Sequence, residues 1–226
     1  MPRLDKWLVK EGHFSSRQTA KRAIKSGHVT VNGEPAKPST NIVDSDSVVI
    51  ASAQSLDRPV GFEKLRRINE AFGSSIVEEG YVVLDIGSSA GGFLLYCSEV
   101  GASCTGIEVS EVFVEDLLAI AGKHENTSVV IGDAFTISPE TICPAGTLDV
   151  LLIDVTTTPE GTVQLARRYS QLLKKGGWLV LAIKTDFHEE STQETNTELK
   201  EMGFTDTKAL VLSGSKKEYH RVSKRR

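Results

Sequence analysis

The chain has 226 residues, of which 39% are hydrophobic and 25% charged, as is ordinary for a globular protein. Its length accommodates one good-sized domain and a small one. No apolar run approaches the roughly 20 residues that a bilayer span needs, and the charged N-terminus has no apolar signal core, so we expect a cytoplasmic protein without a membrane partner.

Charge is distributed unevenly along the chain. The net charge is −4, but residues 1–37 carry +5 and residues 216–226 carry +5, which leaves −14 for the remaining middle. A basic front end and a basic tail on an acidic body suggest a polyanion that docks at two places. The three cysteines have neither CxxC spacing nor a matching histidine pattern, so we expect no metal.

Residues 1–50 form a small module. Apolar residues at helical spacing (Leu4, Trp7 and Leu8, then Ala20, Ala23 and Ile24) predict two helices, which end near Gly12 and Gly27. Ser15 or Ser16 can cap the second helix. Val29 and Val31 alternate in a strand before the Asn32-Gly33 turn, and a last strand covers Val48–Ile50. We therefore expect two helices on a small hairpin-containing sheet, followed by a linker at 51–60.

The cations of this module suit phosphate contacts, which supply affinity rather than sequence choice. The predicted RNA-binding residues are Arg3, Lys6, Arg17, Lys21, Arg22, Lys25 and Lys37. The ordered pieces Arg3-Leu4-Asp5-Lys6, Ser16-Arg17, Gly27-His28-Val29 and Val31-Asn32-Gly33 resemble the RNA-binding fold named after ribosomal protein S four. That resemblance implies binding of structured RNA, usually as an accessory to a catalytic domain.

Residues 61–226 alternate strand and helix patterns, which favours an α/β fold with a mainly parallel sheet. The strand candidates are Val82–Leu84, Cys104–Ile107, Val129–Ile131, Val150–Ile153 and Trp178–Ile183. Each is followed by a polar residue: Asp85, Glu108, Asp133, Asp154 and Lys184. Because ligands bind outside the carboxyl ends of such strands, these five side chains should converge on one edge of the sheet.

The turn after the first of these strands, in DIGSSAGGF at 85–93, predicts a nucleotide-like ligand, because its glycines let the backbone approach closely. A dinucleotide and S-adenosylmethionine compete for it. Glu108 lies 21 residues beyond Gly87, as a ribose-binding acid would. Ser89, however, occupies the second glycine position, where backbone must crowd a pyrophosphate, and S-adenosylmethionine has no pyrophosphate.

The successive motifs DIGSSAGGF, GIEVS and GDAF resemble those of the Rossmann-like class I methyltransferases, which implies S-adenosylmethionine as the cofactor. By that resemblance Asp85 lies near the methionine part, Glu108 binds the ribose hydroxyls and Asp133 lies by the adenine. The full predicted cofactor set is Asp85, Gly87, Ser88, Ser89, Gly91, Gly92, Phe93, Glu108, Asp133, Ala134 and Asp154.

Asp154 and Lys184 end neighbouring strand candidates, and a lysine at such a place is costly to bury unless it is paired. The pair is therefore either a structural ion pair or a catalytic one. In the catalytic case Lys184 acts on a weakly acidic hydroxyl, as a general base if its pKa is depressed or, if charged, as a stabiliser of the developing alkoxide.

Lys64, Asp154, Lys184 and Glu218 match in order the Lys–Asp–Lys–Glu tetrad of the FtsJ-type ribose 2′-O-methyltransferases. Together with the front module, the chain resembles the TlyA family, which is sometimes labelled hemolysin-like. That resemblance implies 2′-O-methylation of ribosomal RNA, typically at cytidine, with ribosomal RNA or ribosomal subunits as partners. The chain departs from the family pattern at Val155–Thr158 and at Thr185-Asp186-Phe187, where a proline is usual. Two alternatives stay open: a base methyltransferase, and an RNA-binding protein with an inactive methyltransferase fold.

Overall fold

The computed structural model describes residues 1–14, 17–25, 28–50, 58–187, 189–212 and 218–226, with the side chains at 18, 22, 25 and 189–192 left aside. The chain divides into two compact units, Met1–Arg58 and Pro59–Arg226. The predicted linker lies largely outside the described residues, and a helix already begins at Val60.

The first unit contains helices α1 (Leu4–Lys10) and α2 (Arg17–Lys25) and strands β1 (Val29–Val31), β2 (Glu34–Pro35) and β3 (Val48–Ile50). Strand β1 is central and pairs antiparallel with both β2 and β3. The predicted apolar residues of both helices are buried around Val29, except Trp7, which is partly buried. The expectation of two helices on a hairpin-containing sheet is therefore confirmed. The predicted cap (Ser15 or Ser16) and the Gly27 stop lie outside the described residues.

The second unit is a seven-stranded sheet with helices between its strands. Its elements are α3 (Val60–Ala71), β4 (Val82–Ile86), α4 (Gly92–Val100), β5 (Ser103–Glu108), α5 (Val114–Lys123), β6 (Thr127–Ile131), β7 (Leu148–Ile153), α6 (Pro159–Tyr169), β8 (Leu173–Ile183), α7 (Glu189–Glu201), β9 (Phe204–Leu210) and β10 (Tyr219–Arg225). The strand order is β6-β5-β4-β7-β8-β10-β9. Strands β4 to β8 are parallel, whereas β10 lies antiparallel between β8 and β9. The predicted α/β class is confirmed.

Two of the polar residues expected after strands lie within them. Asp85 pairs with Gly106 of β5 and Leu152 of β7, and Glu108 is the last residue of β5. Since side chains alternate along a strand, Asp85 shares the face of Val83, which belongs to the core between the sheet and helices α3 and α4. The carboxylate of Asp85 is consequently buried inside the sheet face.

No described helix is long and apolar enough to cross a membrane.

Candidate active site

A cavity of about 430 Å³ opens at the carboxyl ends of β4, β5, β6 and β7. Such a volume lies in the range typical of small-molecule sites. Of the predicted cofactor residues, those that line it are Gly87, Ser89, Glu108, Asp133, Ala134 and Asp154. The structure therefore brings together side chains from the ends of four consecutive parallel strands, where an open α/β sheet binds its ligands.

Gly87 is the tightest point of the turn. Its φ is +91°, and a Cβ atom there would lie 2.5 Å from the carbonyl oxygen of Asp154. The residue must therefore be glycine both for its left-handed backbone and for the close approach of β7. This contact sets the distance between the turn and the carboxyl end of β7.

The carboxylate of Glu108 lies at one end of the cavity, where the sequence predicted a ribose. It accepts hydrogen bonds from the backbone N–H of Ser89 at 2.7 Å and of Ser110 at 2.8 Å, one on each oxygen. Ser89 is held at a φ of +49°, an unusual conformation for a residue with a side chain. Each carboxylate oxygen of Glu108 keeps a second lone pair, so the group can still accept a bond from a ligand hydroxyl.

Asp85 lies beneath the turn rather than in the cavity lining. It is fully buried, and neither carboxylate oxygen has a hydrogen-bond partner among the described residues. Burial raises the pKa of Asp85 to about 7, and the negative charges of Asp154 and Glu108 act in the same direction. A buried carboxylate without a hydrogen-bond partner raises the free energy of the folded state, so a nearby cation or a bound proton would stabilise the site at this point.

The remaining predicted cofactor residues support the turn from behind. The Ser88 hydroxyl donates to the Asp85 carbonyl oxygen at 3.2 Å, and Gly91 caps α4 with a φ of +77°. Phe93 is buried in the core, and a Cβ on Gly92 would lie 2.5 Å from the backbone nitrogen of Phe62 in α3. The structure thus places Gly92 and Phe93 at the packing of α3 against α4, whereas a Cβ on Gly91 would meet Ile120 of α5.

The far end of the cavity is apolar. Asp133 accepts a bond from the backbone N–H of Phe135 at 2.9 Å, and the half-exposed Phe135 ring forms part of the wall. Further lining residues, which the sequence analysis did not assign to the cofactor, are Ile107, Val109, Ser110, Phe113, Thr156, Thr157 and Leu165. The motif GIEVS, which contains Ile107, Val109 and Ser110, was the sequence signal that could have found three of them.

Four charged side chains form a closed ring beside the cavity. The Lys64 ammonium lies 2.7 Å from Asp154 Oδ2 and 2.7 Å from Glu218 Oε1. The Lys184 ammonium pairs with the other oxygen of each of these two carboxylates. All four predicted tetrad residues are therefore brought together, with charges that alternate around the ring.

Four elements position this ring. Asp154 and Lys184 directly follow β7 and β8, and Glu218 directly precedes β10, whose antiparallel direction returns its first residue to the same edge. Lys64 lies on α3, and hydrogen bonds of the buried Asn69 side chain connect this helix to the loop that follows it. Asn69 accepts from the backbone N–H groups of Ile76 and Val77 and donates to the Val77 carbonyl and the Tyr96 hydroxyl, so its hydrogen-bonding capacity is used completely.

The ring fixes the protonation of its members. Burial lowers the pKa of Lys184, but the charges and hydrogen bonds of Asp154 and Glu218 outweigh burial and raise the pKa above its ordinary value. Burial likewise raises the pKa of Glu218, whereas hydrogen bonds from His220, Lys184 and Lys64 lower it much further. Lys184 is therefore an ammonium and Glu218 a carboxylate at neutral pH.

In the first unit, Asp5 gathers three of the predicted RNA-binding cations. Its buried carboxylate accepts from Arg3 Nε at 3.1 Å and Arg17 Nη2 at 2.9 Å, and the Lys21 ammonium lies 3.9 Å away. These side chains remain nearly half exposed, while Lys6 and Lys37 lie at the surface. The side chains of Arg22 and Lys25 are outside the described part of the structure.

Most of the basic C-terminal segment, residues 216–226, is part of the sheet in the residues that the structure describes. Residues 219–225 form β10 inside the sheet, and Arg221 is buried with only 2% exposure. The Lys224 ammonium lies 4.3 Å from the centre of the ring of Trp178 in β8. Trp178 pairs with Val150 in the amino-terminal half of β7, whereas the tetrad lies at the carboxyl ends of these strands. Lys216 and Lys217 lie outside the described residues.

The cavity fits S-adenosylmethionine. Glu108 offers carboxylate oxygens for vicinal ribose hydroxyls, and the Phe135 end offers an apolar wall for an adenine. The buried Asp85 carboxylate lies beneath the turn that a cationic methionine part would face. Among the described residues no group of three or more metal-ligating side chains could hold a metal ion.

Comparison with protein families gives two matches. Residues 2–48 match the S4 domain, and residues 58–209 match the FtsJ-like methyltransferase family. The predicted order, an RNA-binding module of the S four type followed by an FtsJ-like domain, is confirmed by these matches.

Individual relatives agree with the family matches. The 16S/23S rRNA (cytidine-2′-O)-methyltransferase TlyA of Mycobacterium tuberculosis is 31% identical over 169 residues, which cover 71% of this chain but only 59% of TlyA. A proposed hemolysin from Streptococcus thermophilus superposes with a TM-score of 0.65 at 20% identity, over 99% of this chain and 88% of that one. Aeropyrum pernix fibrillarin with bound S-adenosyl-L-methionine superposes at 0.56 and 22% identity, over 66% of this chain and 68% of fibrillarin. The last two likenesses concern the fold alone.

Proposed function

The chain belongs to the FtsJ-like methyltransferase family, and from that premise we propose that it transfers a methyl group from S-adenosylmethionine to a ribose 2′-hydroxyl of RNA. The observation that carries the proposal is the closed ring of Lys64, Asp154, Lys184 and Glu218 directly beside the cavity. Asp154 belongs to both, since it lines the cavity and pairs with both lysines. A methyl donor in the cavity and an acceptor oxygen at the ring would therefore be neighbours.

S-adenosylmethionine, when bound, supplies a methyl group that its sulfonium has already activated, so much of the remaining rate comes from orienting the acceptor oxygen. Glu108 would hold the ribose hydroxyls of the cofactor, and the walls around Asp133 and Ala134 would hold its adenine. Asp85, beneath the turn, would compensate the positive charge of the methionine part.

The tetrad acts on the acceptor. The raised pKa of Lys184 favours the electrostatic role over the general-base role, because an ammonium has no lone pair to accept a proton. Lys184 and Lys64 would donate hydrogen bonds to the 2′-oxygen and aim its lone pair at the methyl carbon. When the methyl group leaves the sulfonium, which becomes a neutral thioether, and binds the 2′-oxygen, the hydroxyl proton becomes strongly acidic; it would pass to Asp154, the carboxylate that faces the cavity, and from there to water.

Ribosomal RNA is the substrate that we propose, with cytidine as the target nucleoside. The S4 domain match supports RNA binding, and the name of the TlyA relative states that activity for that protein. The exposed faces of Arg3, Arg17 and Lys21 around Asp5, together with Lys6 and Lys37, are the proposed phosphate contacts. Each such contact raises affinity and makes it dependent on salt.

Mapping of 2′-O-methyl groups in ribosomal RNA tests the reaction. A strain that lacks the gene should lose at least one 2′-O-methyl position, which the wild-type gene restores and the Lys184→Met variant does not. An unchanged methylation map would overturn the proposal. A calorimetric titration without S-adenosylmethionine binding would instead leave an RNA-binding protein with an inactive fold.

Removal of residues 1–58 tests the RNA contacts separately. The truncated protein should bind RNA more weakly and with a flatter dependence on salt, because several phosphate contacts are lost. An unchanged salt slope would place the RNA contacts on the second unit instead.

A further inference from the structure

One aromatic side chain beside the tetrad has no role in the cofactor cavity. Phe187 is 48% exposed, and its ring centre lies 5.4 Å from that of Tyr219, with the ring planes at 84°. Phe135 and Phe187 are the only phenylalanines among the described residues that stay more than one third exposed. Phe135 lines the cavity, whereas Phe187 does not.

The sheet register places Tyr219, the residue that Phe187 contacts, next to the tetrad. Tyr219 of β10 pairs directly with Ile183 of β8. Ile183 precedes Lys184 in the chain, and Tyr219 follows Glu218. The contact between Phe187 and Tyr219 therefore lies one residue away from two members of the charged ring, at the edge of the sheet where the acceptor ribose would lie.

The Phe187 ring is supported on one side and open on the other. Tyr219 is fully buried, so the edge-to-face contact rests on a rigid part of the core. A phenylalanine that served only to fill the core would be covered, as Phe62, Phe93 and Phe204 are. Nearly half of the surface of Phe187 instead stays in contact with solvent.

We propose that Phe187 is the platform on which the base of the target nucleotide stacks while its ribose lies at the tetrad. The inference rests on the proposed function and adds a positioning residue to it. Proteins that select single-stranded or extruded nucleotides stack the bases on aromatic side chains. Stacking suits every base, so Phe187 would place the nucleotide and leave the choice of base to other contacts.

Substitutions separate stacking from simple packing. Phe187→Ala should lower kcat/KM for undermethylated ribosomal RNA roughly 5- to 150-fold, the range of a lost base–aromatic stack, with unchanged S-adenosylmethionine affinity. Phe187→Leu, which keeps the apolar bulk, should be nearly as impaired, and Phe187→Trp should retain activity. Leu118→Ala removes a similarly exposed apolar side chain from α5, outside the cavity lining, and should behave as wild type. Full activity of Phe187→Leu would overturn the inference.

A binding experiment reads the stack without methyl transfer. The fluorescence of Phe187→Trp, after subtraction of the wild-type signal from Trp7 and Trp178, should be quenched by single-stranded oligocytidylate. An abasic ribose-phosphate oligomer of equal length should leave it unchanged. Equal quenching by both oligomers would contradict the stack.

The two proposals fail in different ways. If the wild-type protein methylates RNA while every Phe187 variant matches Leu118→Ala, only the stacking platform is wrong. If the wild-type protein methylates no RNA but the tryptophan signal requires bases, the proposed reaction is wrong and the base-binding role of Phe187 stands.

Discussion

Replacement of Lys184 by methionine separates the chemistry of the ring from its binding functions. The substitution keeps a long apolar side chain but removes the ammonium that pairs with Asp154 and Glu218. The charge of the ring then changes from zero to −1, with Lys64 left between both carboxylates. We expect methyl transfer to fall sharply while cofactor binding persists.

The size of the effect follows from the position of the charge. One unit charge about 4 Å from another contributes about 4 kcal/mol at an effective dielectric constant of about 20. Because the Lys184 side chain is 25% exposed, solvent screens part of this energy. Loss of one preorganised donor commonly lowers kcat about 100- to 1,000-fold, and we expect a decrease in that range.

Single-turnover methyl transfer and calorimetry with S-adenosylmethionine measure the two quantities separately. Asp154 loses one of its cations in the variant, so a cationic cofactor should bind equally well or more tightly. Lys174→Met is the matched control, since Lys174 pairs with Asp149 at 2.9 Å near the opposite end of the same strand, β8. The control should keep wild-type activity.

The pH dependence distinguishes the two roles of Lys184. Because its folded pKa is raised above the ordinary value, the ammonium is present at all pH values below that value and is lost only above it. The ratio of wild-type to variant rates should therefore stay constant from about pH 6 to 9. A ratio that shrinks towards one as the pH falls would mean that the neutral amine is required, and variant activity within threefold of wild type would refute the electrostatic assignment.

Three further substitutions test separate features. Gly87→Ala should lower Tm and abolish cofactor binding because its Cβ meets the Asp154 carbonyl, whereas Gly146→Ala, also at positive φ but with open space around it, should show only the backbone strain. Asp85 has a folded pKa of about 7, above its unfolded value. Its contribution to stability is therefore present at low pH and lost as the pH rises through 7. Asp85→Asn should be more stable than wild type in urea at pH 8 but not at pH 4. Arg221→Met should raise Tm by several degrees, because it removes a buried guanidinium whose Nε and Nη2 have no hydrogen-bond partner among the described residues. A lower Tm would contradict this and would mean that the guanidinium has a stabilising partner.

Local patterns were sufficient to predict the parallel strands and two tetrad members, Asp154 and Lys184, whereas Lys64 and Glu218 were assigned by the resemblance to the FtsJ-type tetrad. Asp154 and Lys184 each end an apolar run, and parallel strands bring their carboxyl ends to one edge, so their convergence required no knowledge of long-range contacts. The motif around Glu108 identified its strand end in the same way. The S4 module was predictable because its helix and turn signals occur in order within about 50 residues.

Features that depend on register or distant partners were not accessible from the sequence. Asp85 was expected at the edge, but its pairing with Gly106 and Leu152 turns the side chain into the core. Arg221 was assigned to a basic tail because nothing local shows that β10 inserts between β8 and β9. Phe187 was noted only as part of a departure from the family pattern, since its significance comes from its contact with Tyr219, 32 positions away.

The double membership of Asp154, in the cavity wall and in the charged ring, has a thermodynamic consequence. A ligand in the cavity that changes the charge or position of this carboxylate also alters the free energy with which a ligand binds at the ring, and the reverse holds as well. If cofactor occupancy strengthens RNA binding by some factor, RNA must strengthen cofactor binding by the same factor, because linkage between two equilibria is reciprocal. A single side chain would then make the enzyme bind its two substrates cooperatively, without any movement of a domain.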